Sequence, residues 1–134
     1  GSGAENEVWS FGEDNYEILK KYLLLREALK PYIKTLMREA HEHGTPVMRP
    51  LFFQYPDDET AWTLDETYLF GPAILVAPVY TSGATTREVY LPKGDPWREV
   101  STGKTFEGGR WVTANAPIDV IPLFVRYGAQ PLPL

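Results

Sequence analysis

The stretch 41-HEHGTPVMRPLFFQYPDD-58 holds two histidines, a glycine, an arginine set among apolar residues and an acidic pair. Either it gathers catalytic groups, or it is the seam where one kind of structure gives way to another. Gly44 suits the position just past a helix, where a left-handed backbone is needed. His41 and His43 then fall in the last turn, where positive charge meets the negative end of the helix dipole. The run 47-VMRPLFF-53 is short, apolar and bounded by turn formers, which predicts a strand buried on both faces, as in a parallel sheet. Arg49 is the odd member of that run. A charge buried there must be paired, so an acidic partner is expected beside it. Pro50 has no N–H to give a ladder, so the strand is expected to end or bulge there.

Upstream of the stretch, Ile18, Leu19, Tyr22, Leu23, Leu29, Tyr32, Ile33, Leu36, Met37 and Ala40 recur at helical spacing from Asp14 to His43. Asp14 or Asn15 suits the N-cap. Pro31 removes a backbone donor and crowds the preceding turn, so the pattern predicts a kink, or a new helix opening there. Downstream, from Leu69, the helical period disappears. Strand-like runs alternate with Gly, Pro and Asp: 73-AILVAPVY-80, 86-TREVYLP-92, 97-WREV-100, 104-KTFEGG-109, 110-RWVTAN-115 and 121-IPLFVRYG-128. Val89 and Leu91 alternate with Glu88 and Tyr90, and 108-GG-109 reads as a hairpin turn. Strands at this spacing imply an antiparallel sandwich. A long helix followed by one doubly buried strand asks for parallel neighbours. Residues 1–60 therefore read as the end of an α/β barrel, and residues 61–134 as a β-sandwich.

Composition narrows the chemistry. The 134 residues are 43% hydrophobic and 13% aromatic, which excludes disorder. Net charge is −5 and no basic stripe is visible, so neither nucleic acid nor an anionic membrane is an expected partner. There is no cysteine, hence no disulfide and no thiolate chemistry. The apolar runs are too short to span a bilayer. Gly1-Ser2-Gly3 reads as an expression scar rather than a signal peptide, and a soluble, cytoplasmic chain is the expectation.

Several residue groups invite a functional reading. Asp57, Asp58, Glu59, Asp65 and Glu66 offer carboxylates, but a glycosidase needs two from different elements facing each other across about 5–9.5 Å. Adjacent acids after Tyr55-Pro56 read instead as a solvated loop or a cap for the following turn. His41 and His43 are two apart and point to different helix faces, whereas a metal pair needs i, i+4 spacing. No nucleophile elbow and no phosphate-cradling glycine loop occurs, so no metal and no cofactor is expected. Trp9, Trp62, Trp97 and Trp111 could stack on sugar rings or pack in a core.

Against this background a resemblance emerges. The segments 8-VWSFGEDNYEILKKYLLLREALKPYIKTLMREAHEHGTPVMRPLF-52, 68-YLFGPAILVAPVY-80, 89-VYLPKG-94, 108-GGRW-111 and 121-IPLFVRYGA-129 resemble the C-terminal part of glycoside hydrolase family 31. That family contains α-glucosidases and α-xylosidases. The resemblance implies that the long helix and 45-TPVMRPLF-52 close a catalytic barrel, the latter as its eighth strand, with the sandwich behind. It implies a retaining hydrolysis by two Asp residues, and neither of the family's motifs for these is present. Trp62-Thr63-Leu64-Asp65 has one residue too many and no Met-Asn-Glu after it. No catalytic residue is carried over. Trp9 and Phe11 are the substrate-binding candidates, and Arg49 carries over as a structural position. The expected fold is thus an α+β fragment: a long kinked amphipathic helix, one barrel-type strand and an antiparallel β-sandwich. Carbohydrate is the expected substrate of the parent enzyme, and the chain alone is expected to be inactive. Self-association, or association with the rest of the barrel, follows from the uncovered apolar faces. The alternatives are a stand-alone carbohydrate-binding module that uses Trp97 or Trp111, and a purely structural piece made to test whether part of a barrel folds alone.

Overall fold

Gly44 adopts the left-handed conformation, φ 69°, and its N–H closes on the Ala40 carbonyl, ending helix α1 (Lys30–His43) where the sequence places the stop. The computed structural model describes residues 24–79, 83–117, 120–128, 132 and 134. Residues 24–28 are also helical, and Leu29 forms a turn before α1. Pro31 lies in the first turn of α1, where an N–H would lack an intrahelical partner in any case. The expected helix from Asp14 to Leu23, with its cap, lies outside the described residues. His41 and His43 are exposed in the last turn.

The run after Gly44 departs from expectation. Residues 47–53 do not make one buried strand. Strand β1 (Met48–Pro50) is three residues long, and Leu51–Gln54 turns into a single helical turn, α2. β1 runs antiparallel to β2 (Tyr68–Phe70), with Arg49 opposite Leu69, so it is not a parallel barrel strand in this fold. Two features account for this. Pro50 ends the ladder because it has no donor. The apolar residues also fail to cover both faces, for Leu51 is wholly buried while Met48 and Phe53 stay about half exposed.

The rest is antiparallel. β3 (Ile74–Val76), β4 (Thr86–Leu91), β5 (Trp97–Glu99), β6 (Thr105–Phe106), β7 (Arg110–Asn115) and β8 (Leu123–Arg126) complete the set. Among the described residues one sheet has six strands in the order β1-β2-β3-β8-β5-β6, and the other is the two-stranded ribbon β4-β7. The outer strands of the larger sheet are short, three residues in β1 and two in β6. β7 alternates cleanly, with Val112 and Ala114 inward and Trp111, Thr113 and Asn115 exposed. Val89 pairs with Val112 across the ribbon, and this face packs on Leu69, Leu75, Trp97 and Phe124 of the larger sheet. Strand β2 was not anticipated as a strand.

The 108–109 glycine pair is a second correction. β6 pairs with β5 whereas β7 pairs with β4, so the pair carries the chain between the two sheets instead of making a hairpin. A Cβ on Gly108 would lie 2.1 Å from the Pro92 carbonyl and 2.4 Å from that of Asp95. Glycine is required there by close backbone approach.

Candidate functional site

Three groupings deserve a chemical reading, and each begins with a residue that is out of place for its position. The first is Arg49, 4% exposed in the middle of β1. Its Nε donates to the Pro46 carbonyl at 2.7 Å and its Nη1 to Gln54 Oε1 at 2.9 Å. Its acidic neighbour is Glu39 of α1, with Nη2 to Oε2 at 3.8 Å, and the guanidinium lies 5.4 Å from the centre of the Phe53 ring. A planar, multi-donor head lets one cation tie α1, α2 and the β1 approach together. Removing it would strand polar acceptors rather than a reactive group.

The second is Asp58. It caps the 3₁₀ turn Glu59–Trp62 through the Thr60 N–H at 3.0 Å, as its position before a turn suggests. It is not solvated, however, but 8% exposed. Its Oδ2 accepts from the Tyr90 hydroxyl at 2.8 Å and from the Lys93 N–H at 2.8 Å. Tyr90 points outward from β4 by register and is nonetheless buried, because the 58–60 segment covers it. Burial first, and the hydrogen bond to Asp58 second, hold the Tyr90 phenol above its ordinary range. Nearby, Tyr55 donates to Asp95 Oδ2 at 2.8 Å, and burial followed by that bond raises its phenol too. These carboxylates are committed to phenols and backbone donors. Asp58, with its oxygens accepting from Thr60, Tyr90 and Lys93, is a staple between loop 55–62 and strand β4. Sequence reasoning missed this role, since nothing local distinguishes Asp58 from Asp57.

The third is α1 against the β2–β3 turn. The Tyr32 hydroxyl donates to the Phe70 carbonyl at 2.6 Å and accepts from the Ala73 N–H at 3.1 Å. Gly71, at φ 64°, leaves no room for a Cβ, which would lie 2.4 Å from the Tyr32 oxygen and 2.7 Å from a Leu36 methyl.

The tryptophans divide. Trp97 is wholly buried, with Nε1 donating to the Pro92 carbonyl at 3.2 Å and Tyr55 tilted against it, so it is core and cannot be a sugar platform. Trp62 is 57% exposed and stacks on Phe52 at 4.2 Å, and Trp111 is 51% exposed. Trp9 and Phe11 lie outside the described residues. Among the described residues no group of three or more His, Asp or Glu side chains could hold a metal, and no helix is long and apolar enough to cross a membrane. No buried side-chain nitrogen or oxygen among them lacks a hydrogen-bond partner.

Fold and site define an antiparallel β-sandwich domain whose buried polar groups hold its own loops and the helix beside them. Its kinship is specific. The chain belongs to glycosyl hydrolase family 31, whose C-terminal domain matches residues 44–129. It is 45% identical over 123 residues to alpha-glucosidase 2 of Bacillus thermoamyloliquefaciens, covering 92% of this chain and 16% of that protein. It is 42% identical over 128 residues to an alpha-xylosidase of Saccharolobus solfataricus, covering 96% of this chain and 17% of that protein. A solved family 31 alpha-xylosidase from a soil metagenome, complexed with xylose, is 50% identical with a TM-score of 0.88, and the match covers 92% of this chain and 18% of that one. The chain thus spans roughly a sixth of the length of these relatives.

Proposed function

We propose that this chain is the C-terminal structural part of a retaining α-glycosidase that hydrolyses α-glucosides or α-xylosides. The observation that carries the proposal is the match of residues 44–129 to the family's C-terminal domain, alongside relatives named as an alpha-glucosidase and an alpha-xylosidase. In this reading the helical stretch ending at His43 closes the catalytic barrel as a long kinked helix. The domain boundary then falls near Gly44 rather than residue 60, because β1 shares its sheet with β2 and β3. Arg49 acts structurally at that junction. The nucleophile and acid/base come from other parts of the parent enzyme, since retention needs two carboxyls about 5–5.5 Å apart, and Asp58 and Asp95 are engaged by Tyr90 and Tyr55.

The reading has two tests. The purified chain should release no nitrophenol from an α-xyloside or α-glucoside, and measurable release would refute its role as scaffold alone. Exchanged for the matching segment of the soil-metagenome alpha-xylosidase, it should give a folded chimera that retains hydrolysis. A folded but inactive chimera would overturn the proposal. The missing barrel also explains the half-exposed Leu24, Met37, Met48 and Phe53. Alone, the chain is expected to self-associate through them. Light scattering that shows a clean monomer without hydrophobic-dye binding would exclude this.

A further inference from the structure

The ribbon β4-β7 turns its second face to solvent, and the register fixes what that face presents. Tyr90 stands opposite Trp111, Glu88 opposite Thr113 and Thr86 opposite Asn115. All except Tyr90 are exposed. The face is therefore one aromatic ring followed by two hydroxyls, a carboxylate and an amide, in two parallel rows. Trp111 is not loose, for Tyr90 is tilted against it with ring centres 5.4 Å apart, and Tyr90 is itself anchored by Asp58. Glu88 is oriented by the Thr113 hydroxyl.

A cavity of about 230 Å³ opens beside this face, between Leu64, Asp65 and Glu66 on one side and Arg87, Glu88 and Trp111 on the other. Arg87 binds the Glu66 carbonyl and the Thr67 hydroxyl, which holds the 64–67 segment as the cavity wall. The volume lies below the range for drug-sized ligands and suits a small ring.

We propose that this face and cavity form a non-catalytic saccharide site that takes one or two units of a neutral oligosaccharide. The choice of ligand follows from the chemistry. A half-exposed, braced indole offers an apolar plate to the C–H face of a sugar ring. The adjacent hydroxyls, amide and carboxylate match vicinal hydroxyl groups. Glu88, Asp65 and Glu66 give the rim a negative balance, and Arg87 is turned onto the wall, so a polyanion is disfavoured. The inference rests on the glycosidase reading only for the kind of sugar, an α-linked gluco- or xylo-oligosaccharide held by the scaffold rather than cleaved by it.

The test is titration of the full 134-residue chain with maltohexaose, and in parallel with an α-xylosylated gluco-oligosaccharide, followed by calorimetry and indole fluorescence. Saturable binding to one of them is expected. Trp111→Ala should weaken it about tenfold, the scale of losing a central aromatic anchor. Trp111→Tyr should keep most of it, and Trp62→Ala should leave it unchanged. Glu88→Gln and Asn115→Ala, at exposed positions outside the core cluster, should each weaken it about threefold and decide the matter if Trp111→Ala unfolds. Absence of saturable binding, binding untouched by the Trp111 and Glu88 changes, or equal binding of an acidic polysaccharide would overturn the site. Such a failure would leave the active chimera unaffected, so the two readings fail separately.

Discussion

The sandwich and the helical corner differ in how much of their apolar side chain they cover. In the sandwich, Leu69, Leu75, Val89, Leu91, Trp97 and Phe124 are wholly buried between the two sheets. In α1, Leu36 alone is buried, and Met37 is 58% exposed. The helix is held by Tyr32 against the β2–β3 turn, by Leu36 under Gly71 and by Glu39 reaching towards Arg49. Within one chain, then, the sandwich closes its own core while the helix leaves apolar surface uncovered. Stability should be distributed accordingly, with the helix opening at low cost and the sandwich only globally.

Trp97→Ala should have the largest effect. Removing a fully buried ring leaves a void between the sheets and should cost about 3–5 kcal/mol, read as a large fall in the urea midpoint. Loss of under about 1 kcal/mol would mean that the core does not lie where these contacts put it. Asp58→Ala comes next. It strands the Tyr90 hydroxyl and the Thr60 and Lys93 N–H groups, and should cost about 2–3 kcal/mol. Asp58→Asn should recover part of this, because an amide oxygen can still accept.

Gly71→Ala should loosen the helix and leave the sandwich intact. The left-handed backbone strains alanine by about 1 kcal/mol, and the new methyl displaces Tyr32 and Leu36. Hydrogen exchange should rise across Lys30–His43 while β3, β5 and β8 keep their protection. Equal loss everywhere would show that helix and sandwich form one cooperative unit. The smallest effect concerns pH. Tyr55 is buried with a phenol raised above its ordinary value of 10.0, so it stays protonated in the fold after the unfolded chain has lost its proton. The stabilisation is complete below pH 10 and declines as pH rises beyond it, by up to about 1.4 kcal/mol per pH unit for each such phenol. Tyr55→Phe should flatten that alkaline slope, and an unchanged slope would assign it elsewhere, with Tyr90 and Tyr32 the next phenols to replace.

Legibility followed physical locality. The stop at Gly44 and the alternation of β7 could be read because one residue's backbone preference, or a period of two, decides them. The run 47–53 was misread because an apolar stretch of that length has the same pattern in a buried strand as in a strand stub followed by a helical turn. The Gly108-Gly109 hairpin was misread because a glycine required by neighbouring carbonyls looks the same in sequence as one required by a turn. Trp97 and Trp111 both sit near the start of a strand, and only the pairing of β5 with β8 sends the first inward. Asp58 owes its burial to Tyr90, thirty-two positions away. A large aromatic at an outward position of β4 was the available hint that something must cover it.

The two outermost members of the larger sheet, Met48–Pro50 and Thr105–Phe106, have a consequence for behaviour at high concentration. Stubs this short, one of them ended by proline, give an incoming chain almost no ladder to copy. Edge-to-edge growth of the larger sheet should therefore be weak, and association in crowded solutions should run through the exposed apolar helix surface and dissolve on dilution.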